Sequence, residues 1–213
     1  MIEKKNTTLK DNRRKKVIET ALEFANITWT PTENNLFHGC DTDETLVNTP
    51  DVNYAGAKYD KCGWWRVGKP NQGMAYNWGG FSTIEEFRKG ISEGKYAGNV
   101  PDSRDNKTSL QCVGVDCSGL VSICWGLQRK QSTKSLPSVA SKLDKIENLL
   151  LGDVLLVPGS HVMIFVEFTD GTKSAARIID ATRSTGKVSS RIVQIAELID
   201  EGYAGYRYDE DNK

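Results

Sequence analysis

Val154-Leu155-Leu156-Val157-Pro158-Gly159-Ser160-His161-Val162-Met163-Ile164-Phe165-Val166-Glu167-Phe168 decides the fold class. A short apolar run is closed by Pro-Gly, a pair that punctuates tight turns, and a second run of β-branched and aromatic residues follows at once. The spacing predicts two adjacent strands. Side chains alternate along an extended chain. His161, Met163, Phe165 and Glu167 therefore share one face of the second strand, and Val162, Ile164, Val166 and Phe168 the other. Past the Asp170-Gly171 turn, residues 176–181, 191–195 and 203–208 extend the pattern into an antiparallel meander.

Upstream the period is helical. Val17, Ile18, Ala21, Leu22 and Ala25 predict a helix over 11–26. Ser82 stands three residues before Glu85, a capping-box signature for a helix through Ile84, Phe87 and Ile91. Leu120, Val121, Cys124 and Leu127 predict a helix that starts near Cys117 and is dented at Gly126, which leaves its end open. Residues 27–75 are rich in Asn, Asp, Thr, Gly and Pro and read as irregular or short-stranded. Helices first and strands later indicate an α+β fold rather than alternating α/β.

The chain has 213 residues, enough to bury a real core, and reads as a single domain over 1–213. Its 28 Lys+Arg balance 28 Asp+Glu. A neutral chain lacks the electrostatic footprint of a nucleic-acid binder. The longest apolar runs fall far short of the roughly 20 residues a membrane-spanning helix needs. Residues 1–16 carry seven Lys/Arg and two acids, which reads as a basic, solvated, frayed arm. No apolar stretch follows those basic residues, so no secretory leader is visible.

The five cysteines are Cys40, Cys62, Cys112, Cys117 and Cys124. An odd count over this length is not a small disulfide framework. His38 and Cys40 with Cys62 supply part of a zinc ligand set, but a further ligand at normal spacing is missing. Asp41-Thr42-Asp43-Glu44 lacks the full calcium ligand series and reads as a solvated acidic turn.

Asp116-Cys117-Ser118-Gly119 sits where a polar loop meets an apolar-faced helix. That places Cys117 in the first turn, where unpaired N–H groups and the positive dipole end favour a thiolate. A thiolate beside a base is a strong nucleophile. His161 starts a strand, and Asp180 lies on the next one. Antiparallel pairing through the Asp170-Gly171 turn would set Asp180 beside His161, to accept one ring N–H and fix the tautomer. Taken singly, a Cys at a helix start or a His at a strand start is more often structural; the order Cys, His, acid is what gives them weight.

Tyr76-Asn77-Trp78-Gly79-Gly80, Asp116-Cys117-Ser118-Gly119-Leu120-Val121, Leu136-Pro137, Gly152-Asp153-Val154-Leu155 and His161-Val162-Met163-Ile164-Phe165 occur in this order. Together they resemble the NlpC/P-sixty family of papain-like cell-wall cysteine peptidases. The resemblance covers roughly residues 17–208. It implies a papain-like α+β fold with the catalytic helix packed on a small antiparallel sheet. It implies hydrolysis of amide bonds in peptidoglycan stem peptides, often after γ-D-glutamyl, through a thioester. By position Cys117 looks like the nucleophile, His161 the general base, and Asp180 the polar third residue, commonly His in the family. Tyr76 matches a tyrosine that lines the site. Asp116 and Ser118 match positions that in some members recognise the free amino end of the stem peptide.

The chemistry needs no metal or organic cofactor, and the expected partner is a stem peptide or muropeptide. The alternatives are an acyltransferase or isopeptidase on the same scaffold, or a non-catalytic cell-wall binding module. The resemblance implies the cell envelope or secretion; without a visible leader the cytoplasm stays open, as does the oligomeric state. The stretch 81–111 is longer than in most family members and reads as an insertion that forms a lid or an altered substrate wall. Met163 replaces the family's usual glycine and narrows the space beside the base. Trp64, Trp65 and Trp78 invite sugar stacking. Large aromatics are ordinarily core, the preferred reading for Trp78 and Trp125, although its motif keeps Trp78 among the candidate substrate-binding residues.

Overall fold

The computed structural model describes residues 2–54, 63–101 and 107–208. In chain order its elements are α1 (Ile2–Asn26), β1 (Thr28–Trp29), β2 (His38–Cys40), β3 (Leu46–Asn48), β4 (Asn71–Gln72), α2 (Ile84–Ser92), β5 (Tyr96–Ala97), β6 (Cys112–Val113), α3 (Cys117–Cys124), β7 (Ala140–Lys142), β8 (Val154–Val157), β9 (His161–Phe168), β10 (Ala175–Thr182), β11 (Lys187–Gln194), α4 (Ile195–Asp200) and β12 (Ala204–Tyr208). The fold class is α+β. The chain divides into two compact units. The first is Met1–Leu22, Val121–Asp180 and Ser190–Lys213; the second is Glu23–Leu120 and Ala181–Ser189.

The first unit carries the main sheet, ordered β11-β10-β9-β8-β12-β7. Strands β8 to β11 form the expected meander, but β12 does not extend it. It returns to pair antiparallel with β8 and β7. The cause is local: Ile195 and Leu198, spaced one helical turn apart, are both buried on α4. Ile195 therefore opens a helix instead of ending a strand. Leu155, Met163, Phe165, Ile178 and Val193 from four strands join Ile195 and Leu198 in one apolar cluster.

The β9–β10 ladder contains an irregularity that decides which face Asp180 takes. Ala176 pairs with Phe168 and Arg177 with Glu167; the register then shifts, and Ile178 pairs with Phe165 and Ile179 with Ile164. Continued, this register sets Asp180 opposite Met163. Asp180 thus shares the face of Met163 and His161. Without the bulge it would stand opposite Ile164, on the other face, because a one-residue slip exchanges faces.

Asp153, at the head of β8, is 1% exposed. Its carboxylate accepts from Arg14 Nη1 of α1 at 2.8 Å and from Arg207 Nη2 of β12 at 2.7 Å. The Leu150 N–H adds a bond of 2.8 Å. One buried anion ties the first helix and the last strand to the sheet.

Three further expectations met a local correction. Helix α1 starts at Ile2, so the backbone of the basic segment is helical rather than frayed. Ser82-x-x-Glu85 and Thr83-x-x-Glu86 both satisfy the capping-box pattern, and the second is used: Thr83 accepts from the Glu86 N–H and Glu86 from the Thr83 N–H. Ser82 instead accepts from the Gly114 N–H. Helix α3 stops at Cys124, before Leu127. Gly126 takes a left-handed φ of +69°, its N–H donates to the Ile123 carbonyl, and the Leu127 N–H reaches back to Ser122. That is a Schellman ending, which glycine adopts without a Cβ penalty.

In the second unit residues 27–75 form short antiparallel pairs, as expected, β1 with β4 and β2 with β3, and outside that stretch β5 pairs in parallel with β6. Trp29 anchors it, with edge contacts to Trp64, Trp65 and Phe87 of α2. The region 81–111 contributes α2 and β5 to this unit, while residues 102–106 lie outside the described set. Asp41 is buried, and its carboxylate accepts from the Asp43 and Thr45 N–H groups and from Ser109. The acidic turn is thus organised around a buried carboxylate, with Asp43 and Glu44 exposed.

Candidate active site

In the first unit, His161 opens β9 and its Nε2 lies 2.9 Å from Asp180 Oδ2. The Asp180 side chain is fully buried, and the His161 side chain is 20% exposed. Sequence reasoning missed a third member, Arg191 of β11. Its Nη2 donates to Asp180 Oδ2 at 2.8 Å and its Nε to Oδ1 at 3.3 Å. A signal was present: Arg191 stands two residues before Val193, so a cation occupies a core-facing strand position.

Burial alone would raise the Asp180 pKa; hydrogen bonds from His161 and Arg191, and their charges, outweigh it and hold the carboxyl below its ordinary range. A carboxylate depressed in the folded state stabilises the fold above its unfolded pKa, and that stabilisation is lost as pH falls through the folded value. Asp180→Asn is therefore expected to lower the melting temperature near neutral pH. The deficit should shrink once both proteins are acidified below the ordinary carboxylate range. Thermal melts at the two pH values check this; a constant deficit would be inconsistent with it.

In the second unit, Cys117 is the first residue of α3 and is 9% exposed. Asp116 caps the helix: Oδ1 accepts from the Gly119 N–H at 2.7 Å and from the Ser118 hydroxyl at 3.0 Å. Its Oδ2 accepts from the Gly79 N–H at 3.1 Å. The expected substrate residues Asp116 and Ser118 are thus bonded to each other, and the carboxylate also holds the Trp78–Gly79 peptide beside the first turn of α3. Tyr76 is 3% exposed, and its N–H donates to the Gly186 carbonyl at 2.8 Å. Trp78 is half-buried, with the Arg183 guanidinium 5.7 Å from its ring centre.

The glycines of the two motifs have a steric reason. A Cβ on Gly119 would collide with the Gly80 carbonyl oxygen. That carbonyl also accepts from the Asp116 N–H at 3.3 Å. Gly119→Ala is expected to push the two motifs apart and cost about 1–3 kcal/mol by denaturant unfolding. A change within about 0.5 kcal/mol would argue against that close approach.

Of the sequence-predicted residues, His161 and Asp180 are brought together in the first unit. Cys117, Asp116, Ser118, Tyr76 and Trp78 belong to the second. Of the partial zinc set, Cys62 lies outside the described residues. His38 instead pairs through Nε2 with buried Asp51 at 2.8 Å. Among the described residues there is no group of three or more His, Cys, Asp or Glu side chains placed to hold a metal ion. Among them, too, no helix is long and apolar enough to cross a membrane. No family model, curated protein or solved structure matches this chain.

Proposed function

We propose that this chain is a papain-like cysteine peptidase of the NlpC type that cleaves amide bonds in peptidoglycan stem peptides. The observation that carries the reading is the His161–Asp180 hydrogen bond, formed by the two residues that strand pairing and the family resemblance nominate as base and orienter. Support comes from Cys117 at the start of a capped helix.

With Nε2 engaged by Asp180, Nδ1 is the ring nitrogen that exchanges protons with the reactants. The Cys117 thiolate attacks the scissile carbonyl carbon. The Cys117 N–H helps hold the developing oxyanion, a donor worth about 3–4 kcal/mol in other enzymes. The tetrahedral intermediate collapses to a thioester as the C–N bond breaks, and protonated His161 gives its proton to the leaving amine. Water then attacks the thioester, His161 takes its proton, and the freed acid and thiolate complete the cycle.

The test is incubation with defined muropeptides and mass spectrometry of new amino ends. A new amino end within the stem peptide is expected. Addition of a second amine separates hydrolysis from acyl transfer, since a transferase would yield the amine adduct in preference to the free acid. Intact muropeptides after prolonged incubation would overturn the reading.

A further inference from the structure

We infer that Arg191 is a positioning residue for His161, acting through Asp180, and that the Asp180–Arg191 pair works as a single, net-neutral hydrogen-bond acceptor. The inference deepens the peptidase reading and rests on it.

Three strands supply the group. His161 comes from β9, Asp180 from β10 and Arg191 from β11. Asp180 Oδ2 accepts from His161 Nε2 and Arg191 Nη2 together, while Oδ1 accepts from Arg191 Nε. Both oxygens of the carboxylate are engaged by one planar guanidinium. Such a fork fixes the plane of a carboxylate, which a lysine could not do. Arg191 is itself steered, since its Nη2 lies 3.5 Å from the sulfur of buried Met163. Met163 is the position where the resembling family usually has glycine. Its side chain here fills the core face and meets the guanidinium, so the departure at 163 and the cation at 191 belong to one arrangement.

The charge balance gives Arg191 its purpose. A lone buried carboxylate beside an imidazole would hold the imidazolium tightly and make it a weak acid toward a leaving amine. The Arg191 cation cancels that charge while leaving the acceptor oxygen in place. Val157 of β8 stands opposite His161 and is apolar. Asp180 faces it from β10, and Arg191 lies behind Asp180. Glu201 and Tyr203 act on Arg191 from beyond α4. Glu167, on the same strand, pairs with Arg177.

The experiment is a proton NMR titration of the histidine rings. The chain has two histidines, so His161→Ala assigns the signals and His38 serves as an internal reference. Arg191→Met is expected to raise the His161 midpoint by roughly one unit or more, with His38 unmoved. Asp180→Asn combined with Arg191→Met should return it close to the parent value. Arg191→Lys keeps the cation and should leave the midpoint near the parent, yet lower kcat with little change in KM because the fork is lost. An unmoved His161 midpoint in Arg191→Met, with His38 also unmoved, overturns the inference. The titration needs no substrate, so its failure is separate from any failure of muropeptide cleavage.

Discussion

Cys117→Ala is expected to reduce stem-peptide cleavage by about 10⁴-fold or more in kcat/KM, because the proposed mechanism puts the thioester on its sulfur. The described alternatives are poor substitutes. Burial pushes the Cys112 thiol up to about 12, so it stays protonated and unreactive at neutral pH. Cys124 is buried, and Cys40 lies exposed on β2. Removing one sulfur from a position 9% exposed should change unfolding free energy by no more than about 1–2 kcal/mol. Steady-state cleavage and denaturant unfolding, measured on the same preparation, check both halves. Appreciable turnover by the folded variant would reject Cys117 as nucleophile. The same preparations can be labelled with iodoacetamide: the parent should lose one fast-reacting thiol on mutation, whereas exposed Cys40 should label equally in both.

The largest stability effect is expected at Asp153. Replacement by Ala leaves the Arg14 and Arg207 guanidiniums facing each other across a vacated acceptor, and orphans the Leu150 N–H. Breaking a buried ion pair from one side costs about 3–5 kcal/mol. The arginine side chains here are 22% and 34% exposed, so water can reach both, and the lower end applies. For a chain of this size that corresponds to a fall in melting temperature on the order of 10 °C. Arg207→Met should cost less, since Arg14 still pairs with Asp153. Calorimetry of the two variants gives the order, and a milder effect for Asp153→Ala would contradict it.

Much of the fold could be read from periodicity because each decisive signal was local. The 154–168 stretch carries its own turn, and alternation sets its faces. The helix at Cys117 carries its cap in Asp116. What escaped the sequence depended on pairing between distant segments. The return of β12 to β8 follows from where the sheet has an edge to fill, and the two halves of Ile195's environment, strand end or helix start, look alike in a short window. The capping box was misplaced by one residue because two overlapping motifs compete and only the surrounding packing chooses. In the candidate site, His161 and Asp180 were legible as strand neighbours. Arg191 was not, because its role appears only when a third strand is laid beside the second.

The register shift at Arg177/Ile178 has an outcome for anyone comparing this chain with another by its letters. Delete one amino acid between Phe168 and Asp180, and the composition is almost untouched, yet Ala181 takes the acid's seat beside the imidazole. Chemistry at this position is thus written partly in chain length, and a gap misplaced by a single letter would pair the wrong residue with the right histidine.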